Sequence, residues 1–267
     1  MITELSIRDL YHEIPKYKGN KILSELLKPW LKQNGYREYL QTLLISEQMT
    51  DSDNWELYAL SRVLDVLTLT SKPDRYTEAF NGEGSLLTTN EYIEWIQFLG
   101  LDIVYPGQYD PFHCEIATAI AGAVNFHIFD CLQPAIKLKN LMIKRSPVVI
   151  SLNPKDYDLD QVNNAMLYWT FRRSNKNTAD LSEGWGSNSQ WRTAFRLDIE
   201  TEHSYIYNLK NTLDLHEPDE AVIAELKAQD LTIEEAIELL VYRQFTLCTK
   251  EDKDKFPYDF GYETPKH

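Results

Sequence analysis

The stretch "WRTAFRLDIETEHSYIYNL", residues 191–209, decides the fold prediction. Its first nine residues alternate between two kinds of side chain, and one side carries Trp191, Thr193, Phe195, Leu197 and Ile199. A period of two is typical of a strand that buries one face. Because the polar run "ETEH" and the apolar run "SYIYNL" follow, the stretch predicts a β-hairpin.

Three further strand-like segments precede this hairpin. They are "FHCEIATAI" at 112–120, "LMIKRSPVVISL" at 141–152 and "AMLYWTFRR" at 165–173. Pro147 has no backbone N–H, so it restricts the second segment to a sheet edge or divides it into two shorter strands. Together with the hairpin, these segments predict a sheet between about residues 102 and 210.

Helical spacing of apolar residues marks both ends of the chain. In the first hundred residues the clearest helices are "DSDNWELYALSRVLDVLTL" and "EYIEWIQFL". In the C-terminal part, residues 219–247 predict two helices, and Thr232 with Glu235 forms a capping box for the second, which is expected to reach about Leu247. The tail "KEDKDKFPYDFGYETPKH" predicts an irregular segment held by its aromatic residues.

These elements predict an α+β fold in a single domain, residues 1–267. An N-terminal helical part, 1–100, and C-terminal helices with the tail, 217–267, flank a central antiparallel sheet, 102–210.

The composition indicates the kind of partner and the compartment. Lys and Arg number 27 against 41 Asp and Glu, for a formal net charge of −14. Such a charge disfavours nucleic acid and anionic membranes and favours a basic protein partner. Cys114, Cys131 and Cys248 form no disulfide or zinc pattern, and no stretch reaches 18 apolar residues. We therefore expect a soluble cytoplasmic protein.

A long connection between two strand-like segments, residues 174–190, is the first candidate site. Loops of this length tend to be functional or disordered, and its tryptophan argues against disorder. Three arginines border it on the predicted sheet face, and forked hydrogen bonds from arginine suit a carboxylate or phosphate. The predicted ligand-binding residues are Arg172, Trp185, Asn188, Gln190, Arg192 and Arg196.

The arginines also have a purely structural interpretation. Arg172 and Arg196 could pair with Asp180, Asp198 or Glu200 and only organise the loop. Both interpretations stay open at the level of the sequence.

His113 and Glu115 form the second candidate site, because strand alternation places them on the polar face. They could supply a base or two metal ligands, with His127 as a third ligand if the fold brings it near. The His-x-Glu pattern also occurs in zinc deaminases, but the Pro-Cys-x-x-Cys of those enzymes is absent. Since phosphate-binding and dinucleotide-binding glycine motifs are absent as well, no metal or cofactor is expected.

The run "LYWTFRRSNKNTADLSEGWGSNSQWRTAFRLD", residues 167–198, resembles a segment of an uncharacterised bacterial protein family. In that family an aromatic-Trp-Thr-aromatic-Arg-Arg strand precedes a "GWGSNSQWRT" loop. The resemblance implies that the loop belongs to the common architecture of the family. It implies no activity and assigns no catalytic residue.

Three functions are compatible with these patterns. The acidic balance and the absence of a recognised catalytic motif favour a non-catalytic protein-binding module, of the type that neutralises a toxin by covering its basic active-site surface. An enzyme or small-ligand binder would act on an anionic ligand near His113, Arg172, Arg192 and Arg196. A structural subunit of a larger assembly is the third function.

Overall fold

A computed structural model of the chain describes residues 6–46, 48–70, 87–173, 176–183, 191–247 and 255–266. The chain divides into two compact units, each made of several chain segments. The first contains Met1–Ile103, Phe171–Ser174 and Ser182–Phe195, and the second contains Val104–Thr170, Asn175–Leu181 and Arg196–His267. The sequence-based assignment of a single domain stays a prediction.

The first unit is helical. Its helices are α1 (Ile7–Glu13), a 3-10 turn (Ile14–Lys16), a π-helical turn (Leu23–Leu27) that runs into α2 (Lys28–Asn34), α3 (Tyr36–Thr42), α4 (Asp51–Thr70) and α5 (Thr89–Leu99). Helix α5 begins with a capping box between Thr88 and Glu91 and ends at Gly100, whose φ of 74° suits glycine. Helix α4 buries the apolar residues that recur at steps of three and four, as the sequence predicts: Leu57, Leu60, Val63, Leu64 and Leu67.

The second unit contains most of the sheet structure. Its strands are β1 (Asp102–Val104, where the chain enters the unit), β2 (Cys114–Ala121), β3 (His127–Cys131), β4 (Ala135–Leu138), β5 (Leu141–Lys144), β6 (Ser146–Leu152), β7 (Leu167–Tyr168), β8 (Thr178–Ala179), β9 (Ile199–Glu200), β10 (Ser204–Tyr207), β11 (Leu213–Asp214) and β12 (Phe260–Pro265).

These strands form a seven-stranded sheet of order β1-β4-β5-β9-β10-β12-β11, a three-stranded sheet of order β2-β6-β3, and the pair β7-β8. The segment 141–152 forms two shorter strands, β5 and β6, as one of the two predicted outcomes has it. The break falls at Arg145, however, and Pro147 lies inside β6, the central strand of the three-stranded sheet.

Three helices complete the second unit: α6 (Leu159–Asn164), α7 (Glu220–Ala228) and α8 (Ile233–Tyr242). Their main core contains Phe112, Tyr168, Tyr207, Phe245 and Phe260 together with the apolar faces of α7 and α8. The predicted helical pair is confirmed, but α8 ends at Tyr242 and not near Leu247. Arg243 ends it, with a φ of 60° and a backbone N–H that bonds the Leu239 carbonyl at 3.0 Å.

The predicted α+β class is confirmed, and the predicted sheet needs two corrections. First, the sheets are mixed: β2 with β6, β7 with β8, and β11 with β12 are parallel pairs. Second, the large sheet extends beyond residue 210, because β12 lies between β10 and β11. The tail forms this strand since Phe260 is fully buried and Tyr207 pairs with Tyr262, so the prediction of an irregular tail is wrong from Phe260 to Pro265.

The alternation at 191–199 is misleading, since strand β9 begins only at Ile199. Upstream of it, the backbone of Phe195 bonds the side chain of Asn54 through both its N–H, at 2.5 Å, and its C=O, at 3.1 Å. Trp191 packs within the first unit, where its ring lies 4.9 Å from that of Tyr11. The predicted hairpin is confirmed between β9 and β10, because Ile206 pairs with Ile199 in an antiparallel register.

Replacing Thr232 with alanine should lower the free energy of unfolding by about 1 kcal/mol. The Thr232 hydroxyl accepts the Glu235 N–H at 3.2 Å, and the Glu235 carboxylate accepts the Thr232 N–H at 3.1 Å. Denaturant unfolding measures the change. Thr212→Ala, at an exposed position, is the control and should change stability by less than about 0.5 kcal/mol. Equal effects of the two substitutions would contradict the capping role.

None of the helices that the structure describes combines the length and the apolar character needed to span a bilayer.

Candidate functional site

His113 lies just before β2 and is held by a carboxylate of the preceding turn. Its Nδ1 is 2.8 Å from Oδ2 of Asp110, and its Nε2 is 3.8 Å from Oε2 of Glu200. The side chain of His113 is 14% exposed, so the ring is held mainly by protein groups. Within the described residues, these are the two carboxylates within ion-pair distance of His113.

Glu200, in β9, joins this pair to two lysines. Lys137 of β4 donates to Oε2 of Glu200, and Lys266, just after β12, donates to Oε1 at 2.7 Å. Tyr205 of β10 donates its hydroxyl to Asp110 at 2.9 Å. We call Asp110, His113, Lys137, Glu200, Tyr205 and Lys266 the histidine cluster.

Hydrogen bonds set the charge states of the two carboxylates in this cluster. Burial by itself would raise the pKa of Asp110, but the hydrogen bonds from His113, the Phe112 N–H and Tyr205 lower it. Burial would also raise the pKa of Glu200, and its bonds to Lys137 and Lys266 outweigh that effect and lower it. Both carboxylates are therefore ionised at neutral pH.

The geometry of His113 is that of a base oriented by a carboxylate, because Asp110 holds Nδ1 and leaves Nε2 as the second nitrogen. Nε2 faces the carboxylate of Glu200 at 3.8 Å. The neighbouring Cys114 is no thiolate nucleophile, since burial raises its pKa to about 11. The cluster could therefore move a proton or hold a charged group, and it also joins β4, β9, β10 and the chain after β12 electrostatically.

Glu115, the predicted partner of His113, is 2% exposed within β2. Its neighbours Cys114 and Ile116 are equally buried, so this part of β2 has no polar outer face. The alternation in "FHCEIATAI" fails here because both faces of the strand are covered.

Arg196 lies in a second charged group, which is fully internal. Its Nε donates to Oδ1 of Asp198 at 2.6 Å. Arg145 and Arg243 both reach Oδ2 of the same carboxylate, at 3.2 and 3.1 Å. We call Arg145, Arg196, Asp198 and Arg243 the arginine cluster, and each of these side chains is at most 6% exposed.

Three guanidinium groups around one carboxylate leave two positive charges in excess. The C-terminal end of α8 offsets part of this excess, because the Leu240 and Val241 carbonyls accept from Arg196 and Arg145. Burial lowers the pKa of Arg196 to about 10 and that of Arg243 to about 9, so both are still charged at neutral pH. Arg196 therefore has the internal ion pair with Asp198 that the structural interpretation of the sequence describes.

Arg172 and Arg192 belong to the first unit, whereas Arg196 belongs to the second. The Arg172 N–H lies 3.4 Å from the buried carboxylate of Asp65, and its exposed guanidinium lies 5.0 Å from the ring centre of Phe171. Arg192 is also exposed and lies 5.6 Å from the ring centre of Trp55. Their predicted role in ligand binding stays a prediction.

The predicted site residues Trp185, Asn188 and Gln190 lie outside the described residues, and so does Cys248. In the described part of the chain, His, Cys, Asp and Glu side chains do not gather in a group of three or more that could hold a metal ion.

Sequence reasoning missed most members of both clusters. Asp110 had a usable signal, because an Asp three residues before a His in a turn is placed to bond its ring. The other basic members had none, since their carboxylate partners lie 45 to 66 residues away along the chain: Lys137, Lys266, Arg145 and Arg243. Their roles come from the tertiary arrangement of strands and of helix α8.

Comparison of the chain with models of known protein families, with curated proteins and with solved structures finds no match.

Proposed function

We propose that this chain is a non-catalytic, acidic, cytoplasmic protein-binding module whose partner is a basic protein. The mode of action would be that of an immunity protein, which neutralises a toxin by covering its basic active-site surface. The distribution of charge between the interior and the surface is the observation that carries the proposal.

Buried charges nearly cancel in the described residues. Five basic and six acidic side chains are less than 9% exposed. Nearly all of the net charge of −14 therefore belongs to other residues of the chain. A chain with this net charge attracts cationic surfaces and repels phosphates and anionic lipids.

Many of the basic side chains that could bind an anion already form ion pairs with carboxylates of the same chain. In the arginine cluster, the three arginines all form ion pairs with Asp198. In the histidine cluster, Lys137 and Lys266 both bind Glu200. In the first unit, Arg173 binds the buried carboxylate of Asp65 at 2.6 Å. Because these cations are already paired, they favour binding through an acidic surface over binding of an anion in a cationic pocket.

The association rate with the partner should fall at least about tenfold between low and high salt, because the attraction acts over a Debye length of about 8 Å at physiological ionic strength. The partner is isolated with the full chain as bait from cells of the source organism and identified by mass spectrometry. Its binding kinetics are then measured with both proteins purified.

Matched variants test whether acidic side chains cause the effect. A triple variant, Glu217→Gln, Glu220→Gln and Glu234→Gln, removes three exposed charges around α7 and α8 and should slow association. Lys227→Gln, exposed on the same helix α7, should not slow it. A tight partner that is acidic, or whose association rate does not change with salt, would refute the proposal.

An enzyme or small-ligand binder acting on an anion is the second candidate function, and the Asp110–His113 hydrogen bond favours it. Within the second unit, Glu200 links that histidine to two cations, Lys137 and Lys266. Saturable binding of inorganic phosphate that is lost in Lys266→Ala would support this function over the first.

A further inference from the structure

Strand β3 is an open edge of the three-stranded sheet. Strand β6 lies in the middle of this sheet and pairs with β2 on one side and with β3 on the other. Within the part of the chain that the structure describes, β6 is the one strand that pairs with β3. The outer side of β3 therefore presents backbone N–H and C=O groups that a further strand could bind.

The opposite edge of the same sheet is covered. Helix α6 packs against β2, and the side chain of Asn163 bonds both backbone groups of Ala119: Oδ1 accepts the N–H at 2.7 Å, and Nδ2 donates to the C=O at 3.0 Å. An added strand would have to displace this amide. The two edges thus differ, and only β3 is open to strand addition.

A β-bulge gives the open edge an apolar side chain. The pairing of β3 with β6 changes from Ile128 opposite Ile150 to Asp130 opposite Val149, so Phe129 is the extra residue. A bulge re-aims the side chain it carries. Phe129 is 71% exposed, and Val124, just before β3, is 63% exposed.

The outer edges of the large sheet are shorter. Strand β1 has three residues and β11 has two, whereas β3 has five. A segment of about five residues can therefore add to β3 with several backbone hydrogen bonds and a phenylalanine contact.

The charge of the edge indicates the composition of the added segment. Asp130, next to Phe129, is exposed, and the chain as a whole carries −14. A second copy of the chain carries the same net charge of −14, so like-charge repulsion disfavours pairing of two copies along this edge. A basic segment of another protein fits both features.

We propose that the outer edge of β3 binds an extended basic segment of the partner by strand addition, with Phe129 as its apolar anchor. The inference rests on the proposed function, since it specifies where and how the basic partner binds.

Fluorescent seven-residue peptides test the proposal by anisotropy with the full chain. The first probe alternates lysine and valine. The second has the same sequence with N-methyl groups on alternate backbone amides, which removes hydrogen-bond donors and keeps the charge. The third has glutamate in place of lysine.

The first peptide should bind, and the N-methylated and acidic peptides should each bind at least about tenfold more weakly. Phe129→Ser should weaken binding of the first peptide at least about tenfold, because exposed aromatic anchors dominate such contacts. Ile223→Ser, which removes a half-exposed apolar side chain of α7 in the same unit, is the control and should not change binding. Circular dichroism of both variants verifies that they are folded.

Three results would overturn the proposal. The N-methylated peptide could bind as well as the parent, which would leave only charge attraction. Phe129→Ser could have no effect on any peptide. The free chain could be a dimer that Phe129→Ser dissociates, which would make the edge a contact between two copies.

A natural partner separates this inference from the proposed function. If an isolated basic partner binds with a salt-dependent rate but is unaffected by Phe129→Ser, the proposed function stands and the β3 edge is excluded. If the natural partner is acidic, the proposed function fails whatever the peptides do.

Discussion

Replacing Asp198 with asparagine should lower the free energy of unfolding of the second unit by about 3–5 kcal/mol, the cost of breaking a buried ion pair from one side. The carboxylate is fully buried and is the acidic partner of Arg145, Arg196 and Arg243. Asparagine preserves the shape but leaves three buried positive charges without a counter-charge. Denaturant unfolding followed by tryptophan fluorescence measures the loss.

The matched control is Asp214→Asn, the same chemical change at an exposed position. Asp214 accepts the His216 N–H at 2.8 Å, and an asparagine side chain can still accept that bond. Stability should change by less than about 0.5 kcal/mol. A similarly small change for Asp198→Asn would show that the arginine cluster does not depend on its carboxylate.

The same carboxylate should make stability depend on pH in the acid range. Burial alone would raise the pKa of Asp198, but the nearby charges of Arg196, Arg243 and Arg145 lower it from 3.8 to about 2. Because the folded-state pKa lies below the unfolded-state value, the contribution is complete above about pH 5 and is lost as the pH falls towards 2. In Asp198→Asn the acid-dependent loss of stability should be smaller than in the parent.

Replacing Phe112 with alanine should lower the free energy of unfolding by about 3–5 kcal/mol, because it empties a fully buried aromatic site. The ring stacks on Tyr205 with a centroid distance of 4.3 Å and lies 5.9 Å from Tyr207. Loss of the ring removes packing from the main core of the second unit. Thermal and denaturant unfolding both report the change.

Phe129→Ala is the control, because it makes the same change at a side chain that is 71% exposed. It should change stability by less than about 0.5 kcal/mol. The pair of variants also separates folding from binding, since Phe129 is proposed to act on a partner and Phe112 on the core. Comparable losses in both would mean that Phe129 is structural and would remove it as a docking residue.

The local elements of the fold follow from the sequence. Helices α4, α5 and α8 are predicted because their apolar periodicity and, in α8, the capping box act within a few residues of chain. These features need no knowledge of distant contacts.

Other parts of the fold depend on which segments meet in space. The alternation at 191–199 predicted a strand, but Phe195 bonds Asn54, and pairing begins only at Ile199. The tail became a strand because Phe260 could be buried beside β10, a position that strand order provides. Alternation within one segment therefore cannot identify its pairing partner.

The candidate sites divide in the same way. The sequence by itself identified His113 as a chemically competent residue and Arg196 as one that either binds a ligand or pairs with Asp198. Only the tertiary structure decided the pairing of Arg196, because its burial places Arg145 and Arg243 around the same carboxylate. A charged residue in an alternating segment looks the same in the sequence whether its side chain is exposed to water or buried in protein. Only the folded chain determines which of these environments surrounds it.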